Sequence, residues 1–153
     1  MKQLNRNKKR FGHTALAAAC FVMGSYSSST VADDLSNGLT AFNRGDYQTA
    51  HTLLAQLASA NVPNAQLAIA RMYHAGRGVE QNINEAKRWY YHAAQQGVIE
   101  AQFQLALIYL ESNFASEDDE TALKWLSQAA TKGHQQAQFV YSSLTGTDDL
   151  YGC

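Results

Sequence analysis

Cysteine is nearly missing from this chain: two of 153 residues, Cys20 and Cys153, near its opposite ends. No disulfide framework and no Cys-based zinc knuckle can be built from them. Proline occurs once, as Pro63, so every other segment is free to continue a helix without an imino-acid break. Charged residues make up 16% of the chain, and no apolar run reaches the roughly 20 residues that a bilayer span needs. Strand-like alternation is missing too, as are a glycine-rich phosphate loop and an ordered Ser-His-Asp set, which removes the usual sequence warrants for nucleotide or acyl-transfer chemistry. His51, His74, His92 and His134 lie on different elements with no carboxylate or cysteine at ligand spacing. His74 and His92 alone could meet across one hairpin, and two ligands fall short of the three or four that zinc takes.

Acids are missing from the first 32 residues, where Lys2, Arg6, Lys8, Lys9 and Arg10 precede the uncharged stretch Thr14–Gly24. That order suits a secretory signal, with Thr30-Val31-Ala32 as the small-residue site and cleavage after Ala32. The expected location is therefore periplasmic or secreted. A lipoprotein acylated at Cys20 is the competing reading, and either way membrane contact is expected only through this segment. Once residues 1–32 are set aside, 7 Lys and Arg face 13 Asp and Glu, a net charge of −6. Such a balance argues against nucleic acid as a partner. Cys153 is then a lone thiol, either free on the tail or the link of a disulfide-bonded homodimer.

What is present is a repeat. "NEAKRWYYHAAQQG" (84–97) returns as "ETALKWLSQAATKG" (120–133), and from Asn64 the chain overlays itself at an offset of 36 residues without a gap. Ala65, Gln66, Ala70, Tyr73, Ala86, Trp89, Ala93, Ala94 and Gly97 fall on Ala101, Gln102, Ala106, Tyr109, Ala122, Trp125, Ala129, Ala130 and Gly133. A third copy opens with Ala137-Gln138-Phe139. A period of this size means stacked supersecondary units. Each reads as helix A, a loop and helix B: about 64–75 and 83–96 in one unit, 100–111 and 117–132 in the next. Gly97 and Gly133 close the B helices, where a left-handed residue is wanted. Ser116 reads as an N-cap, with Glu117, Asp118, Asp119 and Glu120 on the positive end of the helix dipole. Those acids are adjacent on one turn and do not converge as a calcium site requires. Upstream, "NGLTAFNRGDYQTAHTLL" predicts a shorter hairpin, helices 34–43 and 47–60.

The stretch from Ala65 through Tyr73, Gly76-x-Gly78-Val79, Ala86, Trp89, Ala93-Ala94 and Gly97 resembles a Sel-one-like repeat, a relative of the tetratricopeptide repeat. The first hairpin resembles a tetratricopeptide unit through Gly38, Ala41, Asp46-Tyr47 and Ala50. Ala70 stands where the family usually has glycine, and Ser112 and Phe114 replace the two loop glycines in the second unit. We expect Phe114 to fold onto the apolar face there. The resemblance implies an all-α, right-handed α-solenoid of antiparallel hairpins with about seven helices. Its parts are a signal segment (1–32), a tetratricopeptide-like hairpin (33–62), two Sel-one-like repeats (63–98 and 99–134), a terminal capping helix (135–145) and a tail (146–153). Trp89 and Trp125 are expected as large buried wedges between A and B helices, with Ala86, Ala93 and Ala94 kept small for close approach.

Internal copies separate scaffold from free positions. On helix A the columns that disagree are Asn64/Glu100/Gln136, Ala68/Gln104/Val140, Arg71/Leu107/Ser143 and Ala75/Glu111. Offsets of 0, 4, 7 and 11 fall in one narrow sector of a helix. The resemblance implies that A helices line a concave surface, so Asn64, Arg71, Glu100, Gln104, Leu107, Glu111 and Gln136 are expected to contact a protein partner. The chain reads as a non-catalytic adaptor without cofactor or metal. Two alternatives remain: a β-lactamase-like hydrolase, as described for cysteine-rich relatives whose paired cysteines this chain lacks, and a small structural subunit or dimer. In the last case Leu150 and Tyr151, or another chain, would cover the open end near Phe103, Leu107, Leu110, Phe114, Phe139 and Val140.

Overall fold

The computed structural model describes residues 28–111 and 116–146, with side chains from Thr30 to Glu111 and from Asp119 to Gly146. Cys20, Phe114, the side chains of Glu117 and Asp118, and the tail with Leu150, Tyr151 and Cys153 lie outside the described residues. Within them the chain forms seven helices and no strand: α1 (Ser28–Asn43), α2 (Tyr47–Ser59), α3 (Pro63–Ala75), α4 (Ile83–Gln95), α5 (Ile99–Glu111), α6 (Ser116–Thr131) and α7 (Gln135–Thr145). Each packs on the next in the chain, and α1 also touches α3. This is the nearest-neighbour stacking of a solenoid, in which no hairpin buries its own apolar face alone.

The period of 36 residues governs backbone as well as sequence. Helices α3, α5 and α7 begin at 63, 99 and 135, and α2 and α4 at 47 and 83. The first hairpin therefore keeps the same register as the later units, although its loop differs. Only Arg44–Asp46 joins α1 to α2, whereas Gly76–Asn82 joins α3 to α4, and α1 makes up the length by an extra C-terminal turn. At its other end α1 starts at Ser28, ahead of the expected 34, and runs through Ala32. Helix α3 starts at Pro63 itself, since a first-turn position needs no amide donor and favours the fixed proline φ.

Every B helix ends the same way. Asn61, Gly97 and Gly133 share one column and take φ of 66°, 88° and 89°. Their amides donate to the carbonyls of Ala58, Ala94 and Ala130, and the next amides reach Leu57, Ala93 and Ala129. Asparagine enters the left-handed region at less cost than other residues with a Cβ, so Asn61 replaces the glycine of the later copies. The recurring glutamine then locks this turn. Gln66, Gln102 and Gln138 each donate from Nε2 to the carbonyl eight residues earlier, Ala58, Ala94 and Ala130, at 3.2, 3.1 and 3.0 Å. One side chain per repeat thus ties an A helix to the end of the preceding B helix. The Oε1 atoms of Gln66 and Gln102 accept in turn from Gln96 and Lys132, which again share one column.

Three core clusters follow the three junctions. Ala50, Ala86 and Ala122, and likewise Ala65, Ala101 and Ala137, are fully buried, which lets the helix axes approach as expected. The tryptophans do something other than expected. Trp89 and Trp125 are half-buried rather than buried wedges within a hairpin; Trp89 packs on both the first and second clusters, and Trp125 on both the second and third. They bridge successive units, and Tyr90 and Leu126, one residue further on, fill the fully buried place. The Gly76–Asn82 loop docks back on the first hairpin: a Cβ at Gly78 would lie 2.5 Å from the Tyr47 Cβ, and its φ is +73°. Among the described residues no helix is long and apolar enough to cross a membrane.

Candidate interaction face on the A helices

The A helices are lateral neighbours, and one carboxylate shows it. Glu100, on the first turn of α5, meets Arg71 of α3 (Nη2 to Oε1, 3.4 Å), accepts from Gln104 one turn along α5 (2.9 Å), and lies 3.3 Å from His134 Nε2 at the start of α7. Burial alone would raise its pKa, but the Gln104 and His134 contacts and the Arg71 guanidinium outweigh that and hold the carboxyl below its ordinary range. His134 also fixes its own tautomer. Its Nδ1 accepts the Ala137 amide at 3.1 Å as the N-cap of α7, so the ring proton of the neutral form sits on Nε2 and points at Glu100.

Two open depressions flank this cluster. The first, of about 530 Å³, is lined by Phe42, Arg71, His74, Ala75, Arg77, Gln81, Tyr90 and Gln104. The Tyr90 hydroxyl lies 3.4 Å from His74 Nδ1, with the rings edge to face at 5.9 Å. Burial pushes the phenol up to about 12, with opposing smaller effects of Arg71 and Glu100. Gln81 donates to the His74 carbonyl at 2.8 Å and thereby folds the loop over the end of α3. The second depression, of about 520 Å³, lies between α5 and α7 and is lined by Phe103, Leu107, Gln135, Gln136, Phe139 and Val140.

Of the seven stripe residues expected from the sequence, the structure joins Arg71, Glu100 and Gln104 into one hydrogen-bonded cluster and sets Leu107 and Gln136 together in the second depression. Asn64 and Glu111 are exposed near opposite helix ends and line neither depression. The stripe is not uniformly open: Ala68 is buried in the first core cluster, where the first hairpin covers that sector of α3. Sequence reasoning passed over Phe42, Arg77, Gln81 and Tyr90, and weighed His74 only as a metal ligand. A signal for Tyr90 was available, because its column holds Leu126 in the next copy and a hydroxyl at a buried position in one repeat alone marks a local task. His74 and His92 do not share a site: His74 meets Tyr90, and His92 packs against Trp89 and Tyr91. Among the described residues no group of three metal-ligating side chains converges.

Comparison with known proteins agrees with this architecture. The Sel1 repeat family matches residues 63–98 and 99–134. Among solved structures the chain is similar to a Sel1 repeat protein from Oxalobacter formigenes, with a TM-score of 0.67 and 34% identity over 72% of this chain and 46% of that one. It is also similar in fold to c5321, a protective antigen of uropathogenic Escherichia coli with an SLR fold, with a TM-score of 0.68 and 24% identity over 74% of this chain and 25% of that one. The chain thus spans about half the length of the first and a quarter of the second. No curated protein matches it. A shared period, identical junction chemistry in successive copies and these likenesses lead to one conclusion: residues 63–134 are two repeats of the Sel1 family, set within a longer all-α solenoid.

Proposed function

We propose that this protein is a non-catalytic interaction scaffold of the cell envelope or exterior, which holds a segment of a partner protein on its A-helix face. Repeats of this family generally serve as protein-interaction scaffolds, and solenoids offer extended faces rather than deep clefts. The observation that carries the reading is the pair of depressions side by side on that face, with α5 contributing Gln104 to one and Leu107 to the other. Export rests on the cationic N-terminus, the uncharged stretch Thr14–Gly24 and the Thr30-Val31-Ala32 site.

A photo-crosslinking residue at position 104, followed by identification of the captured protein, tests the face. The same partner should be captured from position 107 and not from exposed Lys124 of α6. Equal capture from all three positions would refute a dedicated face. Export is tested separately by N-terminal sequencing of the mature chain, expected to begin at Asp33. An intact N-terminus in a cytoplasmic fraction would refute that part alone.

A further inference from the structure

Resting on the interaction face just proposed, we infer that its partner segment is acidic where it meets α3 and carries a large apolar side chain a few residues away. The first depression holds the guanidinium groups of Arg71 and Arg77 and the amides of Gln81 and Gln104, and among the described residues no carboxylate lines it. Glu80 in the adjoining loop and Glu111 at the end of α5 lie outside that lining. Glu100 does touch Arg71, yet it is already served by Gln104 and His134. A guanidinium has five N–H donors, so Arg71 keeps donors for an incoming carboxylate. Arg77 rests over the Tyr47 ring at 5.9 Å, a contact that orients its group without consuming an N–H. Both side chains are exposed. This cationic groove lies in a chain that carries a net −6 from residue 33 onward, which makes the local sign a property of the groove and not of the surface at large.

The second depression has the opposite character. Phe103, Leu107, Phe139 and Val140 supply its walls, and Phe139 is 74% exposed, a large ring left in water. Neighbouring helix axes lie roughly 8–10 Å apart, so Arg71 on α3 and Phe139 on α7, two A-helix steps from each other, are separated by roughly 16–20 Å. An extended segment covers that distance in about four to six residues. Carboxylates at Arg71 and Arg77 and a Leu, Met or Phe against Phe139 would therefore fix both the direction and the register of a bound strand of partner.

The test is selection of displayed random twelve-residue peptides on the full chain, with recovered peptides measured by fluorescence anisotropy. We expect enrichment of Asp and Glu with an apolar residue four to six positions away. Replacing both arginines (Arg71→Gln with Arg77→Gln) should weaken those peptides at least roughly tenfold, the scale of one lost charge-assisted hydrogen bond, and raising salt should weaken them as well. Phe139→Ser should weaken them severalfold, with less effect on peptides that have lost the apolar residue. Circular dichroism should show the variants folded, since all three side chains are exposed. Recovery of non-acidic peptides that depend on Leu107 and Gln136 but not on the arginines would overturn this inference and leave the interaction face standing. Recovery of no peptide at all would overturn both.

Discussion

Replacing the recurring glutamine by methionine, one repeat at a time, isolates what the repeated Ala-Gln pair contributes. Methionine nearly conserves volume, so the cavity term is small and the loss is one of hydrogen bonding. Gln102 is buried, donates to the Ala94 carbonyl at 3.1 Å and to Gln128 at 3.3 Å, and accepts from Lys132 at 3.4 Å. Ala94 keeps the Gly97 amide at 3.0 Å, so its carbonyl is not orphaned. A neutral bond nets about 0.5–1.5 kcal/mol, and the longer pair adds less, which places Gln102→Met at about 2 kcal/mol of destabilisation. Gln66→Met should cost about the same, as Gln66 donates to Ala58 and Asn61 and accepts from Gln96 at 2.7 Å. Gln138 is only half-buried on the last helix, and Gln138→Met should cost under about 1 kcal/mol. Urea unfolding followed by fluorescence of Trp89 and Trp125 measures this series. With a slope of about 2 kcal/mol per molar urea, Gln102→Met moves the midpoint down by about 1 M. If Gln102→Met proved as stable as the parent, or if all three variants lost the same amount, the glutamine would be a passive filler and the account of the junction would fail.

Alkaline pH should destabilise the fold through Tyr90. Its folded pKa of about 12 lies above the ordinary 10, so the unfolded chain releases its proton first; stability is intact below pH 10 and falls by about 2 kcal/mol as pH approaches 12. Melting curves of Tyr90→Phe should lack that component, and an identical alkaline limb in both proteins would contradict the burial of the phenol. Glu100 works on the acid side: its lowered folded pKa gives stability that is present above the unfolded carboxylate pKa and lost as pH falls through the folded one. Glu100→Gln should flatten that limb, which acid titration by circular dichroism will show or deny. Gly78→Ala should cost about 1–3 kcal/mol, because the added methyl meets Tyr47 and the backbone sits at φ +73°; Gly133→Ala, at φ +89° with open space around it, should cost only the backbone part, and equal thermal shifts for the two would argue against loop docking.

Much of the architecture was legible because repetition turns one chain into its own alignment. Helix type, the 36-residue unit and the glycine turns at 97 and 133 follow from local periodicity and from the cost of left-handed backbone, and the helix ends fall within a residue or so of expectation from α2 onward. The start of α1 at Ser28 was not legible, since no capping signal divides the polar Ser27–Thr30 run from the Val31–Asn43 stretch that continues the helix. The equivalence of Asn61 with Gly97 was hidden for another reason: the residue differs, and only the shared φ near +60° to +90° reveals the common role.

What the residues determined unaided is the kind of object: helical hairpins of fixed length whose small and large side chains recur in step, because intrahelical hydrogen bonds and side-chain spacing are local matters. Which of those side chains meet was decided only by stacking. Trp89 became a bridge between units while Tyr90 went inside, and Arg71, Glu100 and His134, each 29 to 63 positions apart in the chain, came within 3.4 Å of one another in pairs around one carboxylate. Such contacts depend on the angle and offset at which successive hairpins settle, which is a property of the packed array and not of any single helix.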